Sequence, residues 1–427
     1  MYTAEITKTE GGRESKIFIP SSKSYIHRYL LSALFCDGES TIENVSFSND
    51  INATLGCIEA LGAQVWVSED KTCIKVRGAK GRKDAVSLYC GESASTLRFV
   101  IPIATLFADN IEYTGAMSLF KRPLDPYFCI FEKNNMDYEF SSGEYLRLKG
   151  GFTHNTYTID GSVSSQFVTG LLFTLPNMDF DSEIVIEGVL QSKPYVDITL
   201  EVLKNSGIEI TNDNYEVFRI KGKQKFKPGN FFAQGDYSQA AFFLVAGCFA
   251  GSLECINMEP CSLQGDRVIV DILKKMGADI TSCERGFRVG KSQLKAIGNI
   301  DASDFPDIVP VLSLACALAE GTTVIEGIER LRIKECDRAF ATVNVLSALG
   351  ADICERDGAL VITGREVLKG GRVSSFNDHR MAMTAAVASL VCTDGVIIED
   401  AMSINKSYPA FYEDLKSTGL ANISIKD

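Results

Sequence analysis

Histidine and tryptophan are scarce in this chain of 427 residues, with His27, His154, His379 and a single tryptophan. Thirteen cysteines contain no C-x-x-C pair, so with so few imidazoles no metal-ligand spacing exists and no metal is expected. An odd, unpaired cysteine set points to free buried thiols in a reducing cytoplasm rather than to disulfides. Neither G-x-x-x-x-G-K-[ST] nor G-x-G-x-x-G occurs, which removes support for ATP or dinucleotide use, and no cofactor is expected. Basic charge is short as well: 43 Lys and Arg face 55 Asp and Glu, a net charge of −12. That balance argues against general nucleic-acid binding, but leaves room for a local cationic cleft. The longest apolar stretches, near 242–253, 308–319 and 381–392, run about 12 residues, too short to cross a bilayer. Residues 1–16 mix charge with glycine and lack the apolar centre of a signal peptide. The expectation is a soluble, cytoplasmic protein with neither a nucleic acid nor a membrane as partner.

What is present is a repeat. Hydrophobic residues make up 45% and charged residues 23%, the proportions of a globular protein, and the length exceeds one core. Helix-like segments closing on glycine before a β-like stretch recur, as in Cys57-Ile-Glu-Ala-Leu-Gly-Ala-Gln-Val65 and Val345-Leu-Ser-Ala-Leu-Gly-Ala-Asp-Ile353. The cap positions are Gly62, Asn135, Gly207, Gly277, Gly350 and Gly419, spaced 69 to 73 residues apart. At Asn135 asparagine takes over the left-handed cap. Six units of about 70 residues, each strand-helix-strand with further strands, are a repeat architecture. Alternating segments such as Ser40-Thr-Ile-Glu-Asn-Val45 and Thr322-Thr-Val-Ile-Glu-Gly327 read as half-buried strands. Three units per lobe is the economical division, with the midpoint marked by the Lys/Gly/Pro-rich link 221–230 and Gln234-Gly-Asp236. The expected domains are 21–233, and 1–20 plus 236–427 with the N-terminal strand pairing into it. A cleft and hinge are expected near 20–21 and 234–236.

The chemical signal lies where helices begin. Pro20-Ser-Ser-Lys-Ser-Tyr-Ile-His-Arg28, Gly91-Glu-Ser-Ala-Ser-Thr-Leu-Arg98 and Asn377-Asp-His-Arg380 each lead into an apolar run, placing Lys or Arg in the first turn or two. Helices are expected over 29–35, 99–107 and 381–392. A cation at the positive end of a helix is unfavourable until an anion joins it, and then backbone N–H groups and the cation converge on one ligand. Arg330-Leu-Arg-Ile-Lys-Glu-Cys-Asp-Arg338 adds four cations and two carboxylates. If that segment opens a helix, Lys334 and Arg338 share a face. Charge runs are ordinarily solvated, and on this segment alone both readings stand. Together these starts point to binding of small polyanions, with Glu335 placed to move a proton. Ser162-Val-Ser-Ser-Gln166 and Ser192-Lys-Pro-Tyr195 precede further helices and, taken singly, read as N-caps.

The ordered set Ser22-Lys-Ser24 with Arg28, Gly91 to Arg98, Lys121-Arg-Pro123, Ser164-Ser-Gln166, Ser192-Lys-Pro-Tyr195, Asp304-Phe-Pro-Asp307, Lys334-Glu-Cys-Asp-Arg338, Asp378-His-Arg-Met-Ala-Met383 and Asn405-Lys-Ser-Tyr-Pro409 resembles the 5-enolpyruvylshikimate-3-phosphate (EPSP) synthase family nearly end to end. The resemblance implies an α/β (α+β) fold, a two-lobed inside-out barrel of six βαβαββ repeats, three per domain. It implies transfer of the enolpyruvyl group of phosphoenolpyruvate to the 5-hydroxyl of shikimate 3-phosphate, in chorismate and aromatic amino acid biosynthesis, with only these small molecules as partners and a monomer as the working form. Shikimate 3-phosphate contacts then fall on Lys23, Ser24, Arg28, Ser164, Ser165, Gln166, Ser192, Tyr195, Asp307 and Lys334. Phosphoenolpyruvate contacts fall on Lys23, Ala94, Arg122, Gln166, Arg338, Arg380 and Lys406, and catalysis on Asp307, Glu335, Lys23 and Lys406.

Three departures stand out. Glu92-Ser-Ala94 replaces the family's common Asn-Ala-Gly, so a methyl at Ala94 is expected to narrow the phosphoenolpyruvate pocket and exclude the longer phosphonate glyphosate. Glu92 brings negative charge near an anion site, so its side chain is expected to point away. Arg330 stands where many relatives carry Asn. The sister enzyme acting on UDP-N-acetylglucosamine is the rival reading, but its loop usually carries a reactive cysteine near 114–121, where this chain has none. A non-catalytic phosphometabolite-binding module is a second rival, opposed by the acid/base set.

Overall fold

The computed structural model describes residues 2–9 and 14–427. All six expected cap positions take left-handed backbone, with φ of 114° at Gly62, 51° at Asn135, 81° at Gly207, 95° at Gly277, 99° at Gly350 and 70° at Gly419. Each ends a helix and turns the chain into an outer strand. In the first case Ser48 caps Asn49–Leu61 by accepting from the Ile51 N–H, and Gly62 releases the chain into Gln64–Val67. Strands such as Thr322–Glu326 and Tyr145–Lys149 alternate buried and open positions, so one face of each sheet meets the core.

Six four-stranded sheets follow one plan. In the sheet of Asn299–Asp301, Thr322–Glu326, Asp352–Arg356 and Ala359–Thr363, the first two strands pair in parallel across the helix Val309–Ala317. The fourth strand then pairs antiparallel with both the second and the third. This is a βαβαββ unit, and the fold is a mixed α/β one. Three of the sheets depart from chain order. Asn230–Phe232 supplies the first strand beside Glu39–Glu43, and Ser15–Phe18 supplies the first strand beside Leu253–Ile256. Thr3–Lys8 fills the slot between Val396–Glu399 and Ala421–Lys426.

The chain divides into two compact units, 21–233 and 1–20 with 234–427. Each has its own apolar core. In the second unit the three apolar stretches become Tyr237–Ala250, Val309–Ala317 and His379–Ala388, helices buried on nearly every side that pack on one another. Burying one of their Leu or Phe side chains stabilises the fold by roughly 1.5–3 kcal/mol. Among the described residues no helix is long and apolar enough to cross a membrane.

Helix starts lie earlier than the apolar pattern indicates. The three helices expected over 29–35, 99–107 and 381–392 run Lys23–Leu34, Ala94–Ala104 and His379–Ala388. In the second and third the polar first turn is helical because Ser93 and Asp378 cap it, whereas Ser22 ahead of the first makes no side-chain cap.

Candidate active site

In the unit formed by 1–20 and 234–427, the starts of the three inner helices come together. Arg380, the second residue of His379–Ala388, donates to the Ser238 carbonyl (3.1 Å) and Oγ (2.9 Å) at the start of Tyr237–Ala250. It also reaches Asp307 Oδ2 at 3.4 Å, two residues before Val309–Ala317. Asp307 Oδ1 accepts from Arg338 Nη1 at 2.7 Å and Lys334 Nζ at 3.3 Å. Arg338 is almost wholly buried, and its Nε meets Asp378 Oδ2 at 2.7 Å while Nη2 meets Glu335. Asp378, fully buried, also caps its helix by accepting from the Arg380 N–H at 2.8 Å. Lys406 donates to the Asn377 carbonyl at 2.6 Å, and Gln239 Nε2 reaches the adjacent Ser407 Oγ at 2.7 Å. Asp307, Lys334, Glu335, Arg338 and Arg380 thus gather in one cluster, and Lys406 is held at the residue before Asp378.

Burial opposes charge on both arginines. Asp378, Glu335 and Asp307 outweigh it at Arg338, and Asp307 does so at Arg380, so both stay charged well past neutrality. Lys334 differs: burial, helped by Arg330 and Arg338, outweighs Asp307 and Glu335 and lowers it to about 8. Arg380 Nε is buried with no hydrogen-bond partner among the described residues. A donor left unmade is costly, and an anion would satisfy it.

Lys334 and Arg338 do not share a helix face, contrary to the sequence-based expectation. Glu329–Ile333 forms a 3-10 turn, Lys334 is extended, and the helix starts only at Arg338. Asp337 is the reason: its side chain accepts from the Phe340 N–H and begins Arg338–Ala348 there.

The 21–233 unit carries a second set. Lys23 opens Lys23–Leu34 and pairs with Asp50 at 2.8 Å. Arg28 donates to Ser24 O (2.7 Å), Thr199 Oγ1 (2.8 Å) and Tyr195 O (2.9 Å), and lies over the Phe99 ring. Burial lowers it to about 10, against the opposing pull of Tyr195 and Tyr25. Gln166 links two helix starts, donating to Ser95 Oγ (2.9 Å) and accepting from Arg98 Nη1 (2.9 Å). Arg98 also donates to the Pro123 carbonyl at 3.0 Å, fixing the backbone next to Arg122. Ser164 caps Ser165–Thr174 by accepting from the Gln166 N–H, and Ser93 caps Ala94–Ala104. Ser192 makes no side-chain cap: it sits at φ 55°, a left-handed residue ahead of Lys193–Asn205, so the N-cap reading does not hold there.

Asp50, Asp378, Ser238 and Thr199 were not marked from sequence, although each fixes a candidate cation. Asp378 had a readable signal as an N-cap Asp before an apolar run. The other three are recognised only through partners remote in the chain.

In fold the chain is similar to EPSP synthase from Acinetobacter baumannii (TM-score 0.82, 22% identity, all of both chains) and to the enolpyruvyl transferase NikO from Streptomyces tendae (TM-score 0.79, 16% identity, 100% of this chain and 99% of that one). The chain shares its fold with both over its whole length. Sequence narrows the class further. The chain belongs to the EPSP synthase (3-phosphoshikimate 1-carboxyvinyltransferase) family, whose profile matches residues 9–415. It is 45% identical over 413 residues to the 3-phosphoshikimate 1-carboxyvinyltransferase of Clostridium novyi, covering 95% of each chain. It is likewise 45% identical over 407 residues to the one from Clostridium acetobutylicum, covering 94% of each.

Proposed function

We infer that this chain transfers the enolpyruvyl group of phosphoenolpyruvate to the 5-hydroxyl of shikimate 3-phosphate and releases phosphate. Family membership across 9–415 supports it, and the observation that carries it is the cluster of Asp307, Lys334, Glu335, Arg338 and Arg380. Two substrates that each carry a phosphate and a carboxylate need such a surplus of donors, and addition–elimination needs a base and an acid beside them. Phosphates and carboxylates of the substrates would take up the donors of Lys334, Arg338 and Arg380 now engaged by Asp307 and Glu335. Asp307, freed as a carboxylate, takes the 5-hydroxyl proton as that oxygen attacks C2, and Glu335, entering as the carboxylic acid, gives its proton to C3. The tetrahedral intermediate collapses when the C3 proton returns to Glu335 and phosphate leaves with the proton that Asp307 took from the hydroxyl. Lys23 and Lys406 balance charge on the bridging and leaving oxygens, an electrostatic contribution of several kcal/mol in comparable sites. Ser24, Arg28, Ser164, Ser165, Gln166, Ser192 and Tyr195 bind shikimate 3-phosphate, and Arg122 with Gln166 and the backbone at Ala94 serves phosphoenolpyruvate.

Ala94 is buried at the first position of its helix, and we propose that its methyl excludes glyphosate while phosphoenolpyruvate still fits. Seven buried free cysteines fit a cytoplasmic, reducing setting, and the reaction needs no second copy.

One assay tests the reading: phosphate release from phosphoenolpyruvate with shikimate 3-phosphate or UDP-N-acetylglucosamine as acceptor. Release with the first alone is expected. Glu335→Gln should lose turnover while still binding shikimate 3-phosphate, and glyphosate should inhibit the Ala94→Gly variant far more than the parent. Release with neither acceptor would reject the assignment, and low-micromolar inhibition of the parent would reject the role of Ala94.

A further inference from the structure

Four buried side chains in the 21–233 unit form a relay that the reaction as described does not use. His27 Nδ1 lies 2.7 Å from Thr54 Oγ1, Thr54 Oγ1 lies 2.7 Å from Thr96 Oγ1, and Thr96 Oγ1 lies 2.8 Å from Ser93 Oγ. All four are 1% exposed or less. The relay starts on Lys23–Leu34, crosses Asn49–Leu61 and ends at the cap of Ala94–Ala104.

Its direction follows from hydrogen-bond counting. His27 Nε2 is buried without a partner among the described residues. An unmet N–H there would cost more than an unmet lone pair, so the proton belongs on Nδ1. His27 then donates to Thr54, Thr54 to Thr96, and Thr96 to Ser93. Burial, Lys23 and Arg28 all push His27 well below its ordinary range, which keeps the ring neutral as this requires. Ser93 Oγ receives the Thr96 hydroxyl and the Thr96 N–H together, the latter at 3.2 Å. The first turn at Ala94 and Ser95 is thereby held in place.

We propose that Thr54 is a positioning residue for phosphoenolpyruvate, acting through Thr96 and Ser93 to fix the N–H groups that open Ala94–Ala104. This rests on the functional reading above, in which that helix start serves the donor substrate. The shikimate 3-phosphate side has independent support, because Arg28 is held by Ser24, Thr199 and Tyr195, none of which belongs to the relay. The two substrates should therefore respond differently.

The test is steady-state kinetics on the full chain with Thr54→Val, which removes the hydroxyl, and Thr54→Ser, which keeps it. The valine variant should raise KM for phosphoenolpyruvate about fivefold, the effect of one buried hydrogen bond, with KM for shikimate 3-phosphate within about twofold of the parent. Serine should restore the parent value. An unchanged phosphoenolpyruvate KM, equal rises for both substrates, or a serine variant as impaired as valine would each overturn the proposal. Should the valine variant not fold, Ser93→Ala breaks the relay at its other end, and absence of the same split there overturns it. A parent chain inactive toward shikimate 3-phosphate would instead sink the functional reading itself.

Discussion

At the scale of single residues, the contrast between Lys334 and Arg338 is the most consequential. Both touch Asp307 Oδ1, yet the guanidinium keeps its charge and the ammonium is brought down to about 8. Arginine spreads its charge over a fork that three carboxylates satisfy, whereas lysine presents one compact, strongly hydrated charge that burial penalises. If Lys334 binds shikimate 3-phosphate, that contact loses its charge as pH rises through about 8. KM for shikimate 3-phosphate should therefore rise between about pH 7 and pH 9, and Lys334→Arg should flatten the profile, since its charge persists. A flat profile in the parent would contradict the assignment. Stability responds with the opposite sign. The folded pKa lies below the unfolded one, so above about 8 the unfolded chain binds more protons and the contribution of Lys334 to stability grows with pH.

At the scale of elements, the helix ends are the most readable feature and the helix beginnings the least. A left-handed cap is decided by one residue and its φ, so Gly62, Asn135, Gly207, Gly277, Gly350 and Gly419 could be named in advance. Gly350 and Gly419 separate the two costs of an added Cβ. At Gly350 it would meet the Lys369 backbone nitrogen at 3.2 Å, while at Gly419 nothing lies within 4 Å. Gly419→Ala should cost about 1 kcal/mol from backbone conformation alone, and Gly350→Ala about 1–2 kcal/mol more, read by denaturant unfolding. Equal losses would remove the steric part, and no loss at either site would remove the cap argument. The charged segment 330–338 left its helix start open, and the Asp337 cap is what places that start at Arg338. The cations of each cluster were legible as residues out of place at helix starts. Their holders were not, because Asp378 and Arg338 stand 40 positions apart and Ser238 and Arg380 stand 142 apart.

At the scale of the whole molecule, six repeats were legible from cap spacing, but the strands that complete a sheet out of chain order were only partly so. The N-terminal strand was expected to pair into the later half, and both 3–8 and 15–18 do so. Nothing in the local pattern reveals that Asn230–Phe232 returns to Glu39–Glu43, because a three-residue strand has no periodicity to read. The out-of-order strands make the two units unequal as continuous fragments. Residues 21–233 contain every strand of their three sheets, including the returning one. Residues 234–427 lack Ser15–Phe18, an edge strand, and Thr3–Lys8, an inner strand whose Ala4 and Ile6 are fully buried. Losing an inner strand leaves two open edges and an uncovered core, a state prone to aggregation. Fragment 21–233 should therefore unfold cooperatively on its own, and 234–427 should not fold until residues 1–20 are supplied, either as a peptide or fused beyond residue 427. Circular dichroism with urea titration distinguishes the cases. A cooperative transition for 234–427 alone would mean that the borrowed strands decorate that core rather than complete it.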